Sequence, residues 1–171
     1  MEESGDRFLR IYMNDQLALG VGWRELARRA QSQNEGTALG AALAVVATGI
    51  AEDVETFEAI MGRLGLGRDR VKPMLATAAE RIGRLKVNGQ LRGYSPLSRF
   101  VELDVLAMGI EGKKILWANL RDFAGLRVRL PDVDFDRLIE RADRQRSELE
   151  PFRALAGREA FGTRVAHPDS P

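Results

Sequence analysis

Residues 38–64 decide the fold class, and their sequence is ALGAALAVVATGIAEDVETFEAIMGRL. Apolar side chains recur here every three or four residues and would form one face of an α-helix: Leu39, Leu43, Val46, Ile50, Val54, Phe57, Met61 and Leu64. Thr37 can cap the start of this helix, and Gly65 is well placed to end it in a left-handed conformation. The segment therefore predicts a long amphipathic helix that packs against other helices.

The same periodicity continues along the chain in both directions. Four further helices are predicted, over residues 6–32, 69–87, 97–124 and 135–156. Because short connections between long helices favour antiparallel neighbours, the sequence predicts an all-α antiparallel four-helix bundle, with the fifth helix packed beside or across it. A single domain over residues 1–156 fits a chain of 171 residues, and residues 157–171 are expected to form a flexible tail.

Polar residues and prolines indicate where several helices begin and end. Asp6 is expected to cap the first helix, and Ser95 is expected to cap the fourth, with proline as the first helical residue. Pro151 is expected to kink or end the fifth helix. Residues 126–130 alternate between apolar and basic side chains, as a strand would. Since no second strand is predicted to pair with them, we interpret them as an extended linker.

The composition excludes several kinds of site. The chain has no cysteine, which excludes disulfides, cysteine-ligated metals and cysteine nucleophiles. Its one histidine, His167, lies close to the end of the sequence, which argues against histidine-based catalysis. With 26 basic and 25 acidic residues, the net charge of +1 gives no attraction to nucleic acid or an anionic membrane. These features, with no apolar signal segment, predict a cytoplasmic protein without a membrane or nucleic-acid partner.

Four carboxylates fall on helix faces whose other members are apolar: Asp15, Asp53, Asp104 and Glu111. An unpaired buried carboxylate is unfavourable, so each of them is expected to have a partner. One interpretation is a buried polar network, to which Tyr12 and Lys114 could also contribute, and which would set the register of the helices. The other is a divalent metal site in which these four acids are the oxygen ligands.

The length, the number of helices and the inward-facing acids resemble the ferritin-like superfamily. The resemblance covers most of the chain and is architectural. It implies a four-helix bundle and, in di-iron members, metal ligands that include Glu-x-x-His pairs. No such pair occurs here, and at that spacing Glu111 is followed by Lys114, which would repel a cation. We therefore predict no cofactor and retain a divalent metal ion as the alternative.

The fourth predicted helix has two apolar faces. One face holds Leu97, Val101, Met108 and Ile115, and the opposite face holds Leu103, Leu106, Ile110, Trp117 and Leu120. A helix that is apolar on two sides is either central or in contact with a partner chain. The second of these faces is therefore a possible interface in a homo-oligomer.

Three functions are consistent with these features. The leading hypothesis is a non-catalytic helical protein that acts through association with itself or with a partner. One alternative is a ferritin-like metal-binding protein or oxidase. The other is a carrier that holds a small apolar ligand between glycine-rich helices. No nucleophile elbow or other catalytic motif occurs in the sequence, which favours a protein without enzymatic activity.

Overall fold

Most of the described part of the chain is helical. The computed structural model describes residues 2–67 and 95–162. Five helices occur there, and none of these residues is in a strand: α1 (Glu2–Gln33), α2 (Ala38–Arg63), α3 (Pro96–Asp122), α4 (Leu126–Arg129) and α5 (Phe135–Phe161). The all-α prediction is therefore confirmed. The helix predicted over residues 69–87 and the tail residues 163–171 lie outside the described residues.

Local signals in the sequence set several of the helix ends. The Thr37 hydroxyl accepts a hydrogen bond from the backbone N–H of Gly40 at 3.0 Å and so caps the start of α2. Ser95 caps α3 in the same way, accepting at 3.1 Å from the N–H of Ser98. Gly65 follows the end of α2 with a φ of 66°, a left-handed conformation that glycine adopts without steric cost.

Two predicted segment boundaries are wrong. Helix α1 already includes Asp6, which pairs with Arg129 at 3.2 Å instead of capping the helix. Residues 126–129 form the single-turn helix α4 rather than an extended linker. The physical reason is burial: Leu126 and Leu130 are both buried, and a helical turn brings side chains four residues apart to the same side.

Helix α5 continues through Pro151 and ends at Phe161. Because proline in a helix interior removes a hydrogen bond and costs about 3 kcal/mol, the sequence favoured a kink or an end there. The residues beyond the proline contact α3, and these contacts offset that cost. Ala156 is buried, and Arg153 pairs with Asp104 of α3 at 3.0 Å. The helix therefore continues to residue 161, past the end predicted at residue 156.

Four long helices pack side by side, each against two others. Contacts join α1 to α2, α2 to α5, α5 to α3, and α3 to α1. The most extensive interface is that between α3 and α5, and its ion pairs show that the two helices are antiparallel. Arg99 pairs with Glu159 at 3.3 Å near one end, and Lys114 pairs with Asp143 at 2.6 Å further along. Helix α5 is thus a full member of the core rather than an addition beside it.

Helices α2 and α3 run in the same direction. Arg63, the last residue of α2, pairs at 2.6 Å with Asp132, which lies three residues before the start of α5. Arg99, in the first turn of α3, pairs instead with Glu159, close to the end of α5. Helix α2 therefore ends, and α3 begins, at opposite ends of α5.

The core lies between these four helices. Large side chains from each of them are fully buried, among them Met13, Ile60, Trp117 and Phe135. The Trp117 ring lies between two phenylalanine rings, with centroids 5.7 Å from Phe57 and 6.4 Å from Phe135. Among the residues that the structure describes, no helix is long and apolar enough to cross a membrane.

Candidate functional site

Asp53 is the one acidic residue that is buried in the described parts of the chain, with 2% of its surface exposed. It lies in the middle of α2, on the face that also carries Ile50 and Phe57. An ionised carboxylate in such apolar surroundings is stable only when charged or hydrogen-bonding partners replace water. The structure provides these partners from two other helices.

Three side chains surround the Asp53 carboxylate. Lys113 of α3 donates a hydrogen bond to Oδ2, and Arg141 of α5 donates to Oδ1. Gln145 of α5 donates to Oδ2 at 3.2 Å and accepts a hydrogen bond from Lys113 through its amide oxygen. Asp53, Lys113, Arg141 and Gln145 are named the Asp53 centre below. In it, both carboxylate oxygens are hydrogen-bonded, and one acid faces two cations.

Burial decides how strongly these charges act on one another. The side chain of Lys113 is 13% exposed, and that of Arg141 is 25% exposed. Burial lowers the pKa of the Lys113 ammonium, the negative charge of Asp53 opposes this effect, and the positive charge of Arg141 adds to it. Arg141 also pairs at 3.3 Å with Glu52, whose side chain is 56% exposed and therefore screened by water. The buried part of the centre thus carries more positive than negative charge.

The other three predicted acids do not join Asp53. Asp104 pairs with Arg153, Asp15 is half-buried on α1, and Glu111 is exposed on α3. The reason is the orientation of α3, because the face that carries Asp104 and Glu111 points outward. In residues 2–67 and 95–162, no group of three acidic or histidine side chains could hold a metal ion.

Tyr12 and Lys114 also lie outside the Asp53 centre. The Tyr12 hydroxyl accepts a hydrogen bond from the side-chain amide of Asn119 at 3.3 Å, which links α1 to α3. Lys114 pairs with Asp143 on the exposed side of α3 and α5. Neither side chain is a hydrogen-bond partner of Asp53. The residues that the sequence suggested as one network therefore belong to several separate contacts.

The predicted interface of the fourth helix lies in the core of its own chain. Each of its five residues is at most 2% exposed: Leu103, Leu106, Ile110, Trp117 and Leu120. Because the same chain covers them, they form no exposed surface for a partner. The apolar side chains that α3 exposes are on its other face, where Leu97 is 44% exposed, Met108 65% and Ile115 54%. The surface open to a partner is thus the face opposite to the one expected.

A cavity of about 420 Å³ lies between α1 and α3, with residues of α2 as its floor, and is named the α1–α3 cavity. The floor includes Asp53 and Phe57, both buried, and the wall formed by α3 includes Lys113 and Trp117. Its mouth is apolar and partly exposed, and its rim consists of Leu19, Met108 and Ile115. The described lining is mostly apolar, and its charged members are Asp53 and Lys113.

Glycines on both walls shape the α1–α3 cavity. Gly20 of α1 and the pair Gly109 and Gly112 of α3 line it. A Cβ atom built on Gly109 would lie 2.6 Å from a ring carbon of Trp23, so the absence of a side chain lets α3 approach that ring. A Cβ atom on Gly112 would meet no atom of the described residues within 4 Å. One glycine is therefore required by close packing, and the other is open to substitution.

Gly109→Ala is expected to be less stable than Gly112→Ala by about 1–3 kcal/mol, because the new methyl group would overlap the rigid Trp23 ring. Both substitutions bring the same gain in helix propensity, of up to about 1 kcal/mol, so the difference between them isolates the overlap. Urea denaturation followed by circular dichroism measures both variants. Equal stabilities would show that α3 does not depend on close approach at Gly109.

The three partners of Asp53 were not predicted from the sequence. For two of these partners, the apolar pattern of the sequence contains an indication. Lys113 lies on the same face of α3 as Ile110, and Gln145 lies on the buried face of α5, so each interrupts an apolar pattern as Asp53 does. Arg141 lies at the edge of the buried face of α5, where the sequence does not distinguish it from neighbouring solvated arginines.

Comparisons with protein-family models, with curated proteins and with solved structures found no match for this chain. The geometry and charge of the Asp53 centre and of the α1–α3 cavity are therefore the basis for a proposal of function.

Proposed function

We propose that this protein binds a small, largely apolar ligand in the α1–α3 cavity. The observation that carries the proposal is the cavity, with its volume of about 420 Å³, its mostly apolar lining and its few polar side chains. Small-molecule sites have volumes of roughly 300–1,000 Å³ and this kind of lining, and they often lie between helices. The rings of Trp23, Phe57 and Trp117 add aromatic surface that an apolar ligand could contact.

The Asp53 centre favours ligand binding over metal chemistry. Both oxygens of Asp53 already accept hydrogen bonds, and two cations lie where a metal ion would have to bind. The remaining candidate ligands, Asp15, Asp104 and Glu111, lie apart from it on half-buried or exposed faces. The residues therefore do not fit a carboxylate-bridged metal centre of the ferritin-like kind.

The arrangement of the helices supports a ferritin-like bundle as the scaffold. Bundles of that type have four long helices and one long crossover connection. Here α2 ends and α3 begins at opposite ends of α5, as one long crossover requires. We therefore propose the scaffold of that superfamily with a binding cavity between two of its helices, and without its metal site.

Titration with the neutral fluorescent probe N-phenyl-1-naphthylamine tests the proposed function. Both tryptophans of the chain, Trp23 and Trp117, line the cavity, so a bound probe is expected to quench their emission by energy transfer and to saturate at one molecule per chain. Gly112→Phe should weaken binding by narrowing the cavity. Gly62→Phe is the matched control, because Gly62 is equally open but lies on α2 outside the described lining. Binding that does not saturate, or that Gly112→Phe leaves unchanged, would contradict the proposal.

Self-association is a second candidate, and the exposed rim of the cavity favours it. Met108 and Ile115 are more than half exposed on α3, and Leu19 lies opposite them on α1. Light scattering is expected to give a dimer mass for the natural chain and a monomer mass for Met108→Glu. A natural chain that stays monomeric at high concentration would leave ligand binding as the function of this surface.

A further inference from the structure

Lys113 gives the α1–α3 cavity a chemical preference that an apolar lining alone would not have. Its side chain lines the cavity and is mostly buried, and it is the one cationic side chain in the described lining. A buried ammonium loses hydration that only an anion or hydrogen-bond acceptors can replace. Asp53 and Gln145 provide part of this replacement.

The charge balance around Lys113 is incomplete. Asp53 is shared between Lys113 and Arg141, so one buried negative charge faces two positive charges. The second acid near Arg141, Glu52, is largely exposed and is not part of the described cavity lining. On α3 itself, the neighbouring Lys114 is already paired with Asp143 at the surface. A further negative charge on the cavity side of Lys113 would therefore be stabilised.

Trp117 adds an independent observation at the same place. It lies four residues after Lys113, so both side chains project from the same face of α3 into the cavity wall. Trp117 is 1% exposed, and its ring contacts that of Phe57, which also lines the cavity. The wall thus presents a buried cation and, one turn away, an aromatic surface against which an apolar ligand could pack.

We propose that the ligand is an apolar monocarboxylate whose carboxylate binds at Lys113. The carboxylate would accept a hydrogen bond from the Lys113 ammonium, while the apolar body would lie against Phe57 and Trp117 and extend towards the mouth at Met108. The inference rests on the proposed function, which it deepens by naming the ligand class. An amine would be repelled by two cations, and an alcohol would not balance the charge.

Isothermal titration calorimetry with three ten-carbon ligands tests the inference. The ligands are decanoate, 1-decanol and decylamine, which differ only in the polar group. Decanoate is expected to bind at least about tenfold more tightly than decanol, as a charge-assisted hydrogen bond would give, and decylamine is expected to bind most weakly. In Lys113→Met, decanoate and decanol should bind about equally, whereas Asp53 keeps Arg141 and Gln145 as partners. Lys114→Met is the matched control, since its side chain pairs at the surface, and it should retain the preference.

The outcomes separate the two proposals. If none of the three ligands binds, the proposed function and the inference are both wrong. If all bind with equal affinity, or if Lys113→Met keeps the preference for decanoate, the cavity binds apolar ligands but does not select a carboxylate. The comparison of the three ligands on the natural chain decides the question even if Lys113→Met does not fold.

Discussion

Asp53→Asn is expected to lower the free energy of unfolding by about 3–5 kcal/mol, the cost of leaving a buried charge without its partner. The substitution keeps the size of the side chain and removes its charge. The Lys113 ammonium and the Arg141 guanidinium would then face each other across a neutral amide, in a site where Asp53 is 2% exposed. Urea denaturation followed by far-UV circular dichroism measures the loss.

Asp143→Asn is the matched control for that prediction. It makes the same chemical change in the surface pair with Lys114, where the two side chains are 51% and 35% exposed, and a much smaller loss is expected because water screens the pair. The double variant Asp53→Asn with Lys113→Met should recover part of the loss, because it removes one of the two unpaired cations. Equal losses in Asp53→Asn and Asp143→Asn would show that burial does not strengthen the Asp53 centre.

Trp117→Ala is expected to destabilise the fold by about 3–5 kcal/mol, the range for removal of a buried aromatic side chain. Trp117 is 1% exposed and contacts the rings of Phe57 and Phe135. Its removal would therefore reduce the apolar area that is buried between α2, α3 and α5. Thermal and urea denaturation both report the change.

Phe123→Ala provides the control for Trp117→Ala. Phe123 follows α3 directly and is 88% exposed, so the loss of its ring should change stability by less than about 0.5 kcal/mol. If Phe123→Ala lowered the free energy of unfolding as much as Trp117→Ala, the Phe123 ring would have to be buried in solution.

The helices were predictable from the sequence where periodicity and capping agree. Residues 38–64 predicted α2 almost to the residue, because the apolar stripe, Thr37 and Gly65 all indicate the same bounds. The prediction failed where tertiary contacts outweigh a local signal. Pro151 would end an isolated helix, but contacts of the following residues with α3 sustain α5. Such contacts join residues far apart in the sequence, and local pattern does not reveal them.

The candidate site was predictable only in part. Asp53 was identified as a buried acid, because it interrupts the apolar stripe of α2 in the middle. The orientation of α3 was not determined by the sequence, because both of its faces are apolar over similar lengths. Which of the faces turns inward depends on the fit against α1 and α5, and the choice exposed Asp104 and Glu111 while it buried Lys113. The cavity depends on the spacing of the helices, which no pattern within one helix encodes.

Helices α1 and α2 form one antiparallel hairpin, and α3 and α5 form another, each with a short connection. Pairing within a hairpin involves residues close in sequence, so the long-range step in folding is the docking of the two hairpins. Apolar faces alone would allow docking in several positions of similar energy. The first hairpin contributes Asp53, and the second contributes Lys113, Arg141 and Gln145. A slip by one helical turn would leave these charges buried and apart, so we expect the four residues to favour one docked arrangement over the alternatives.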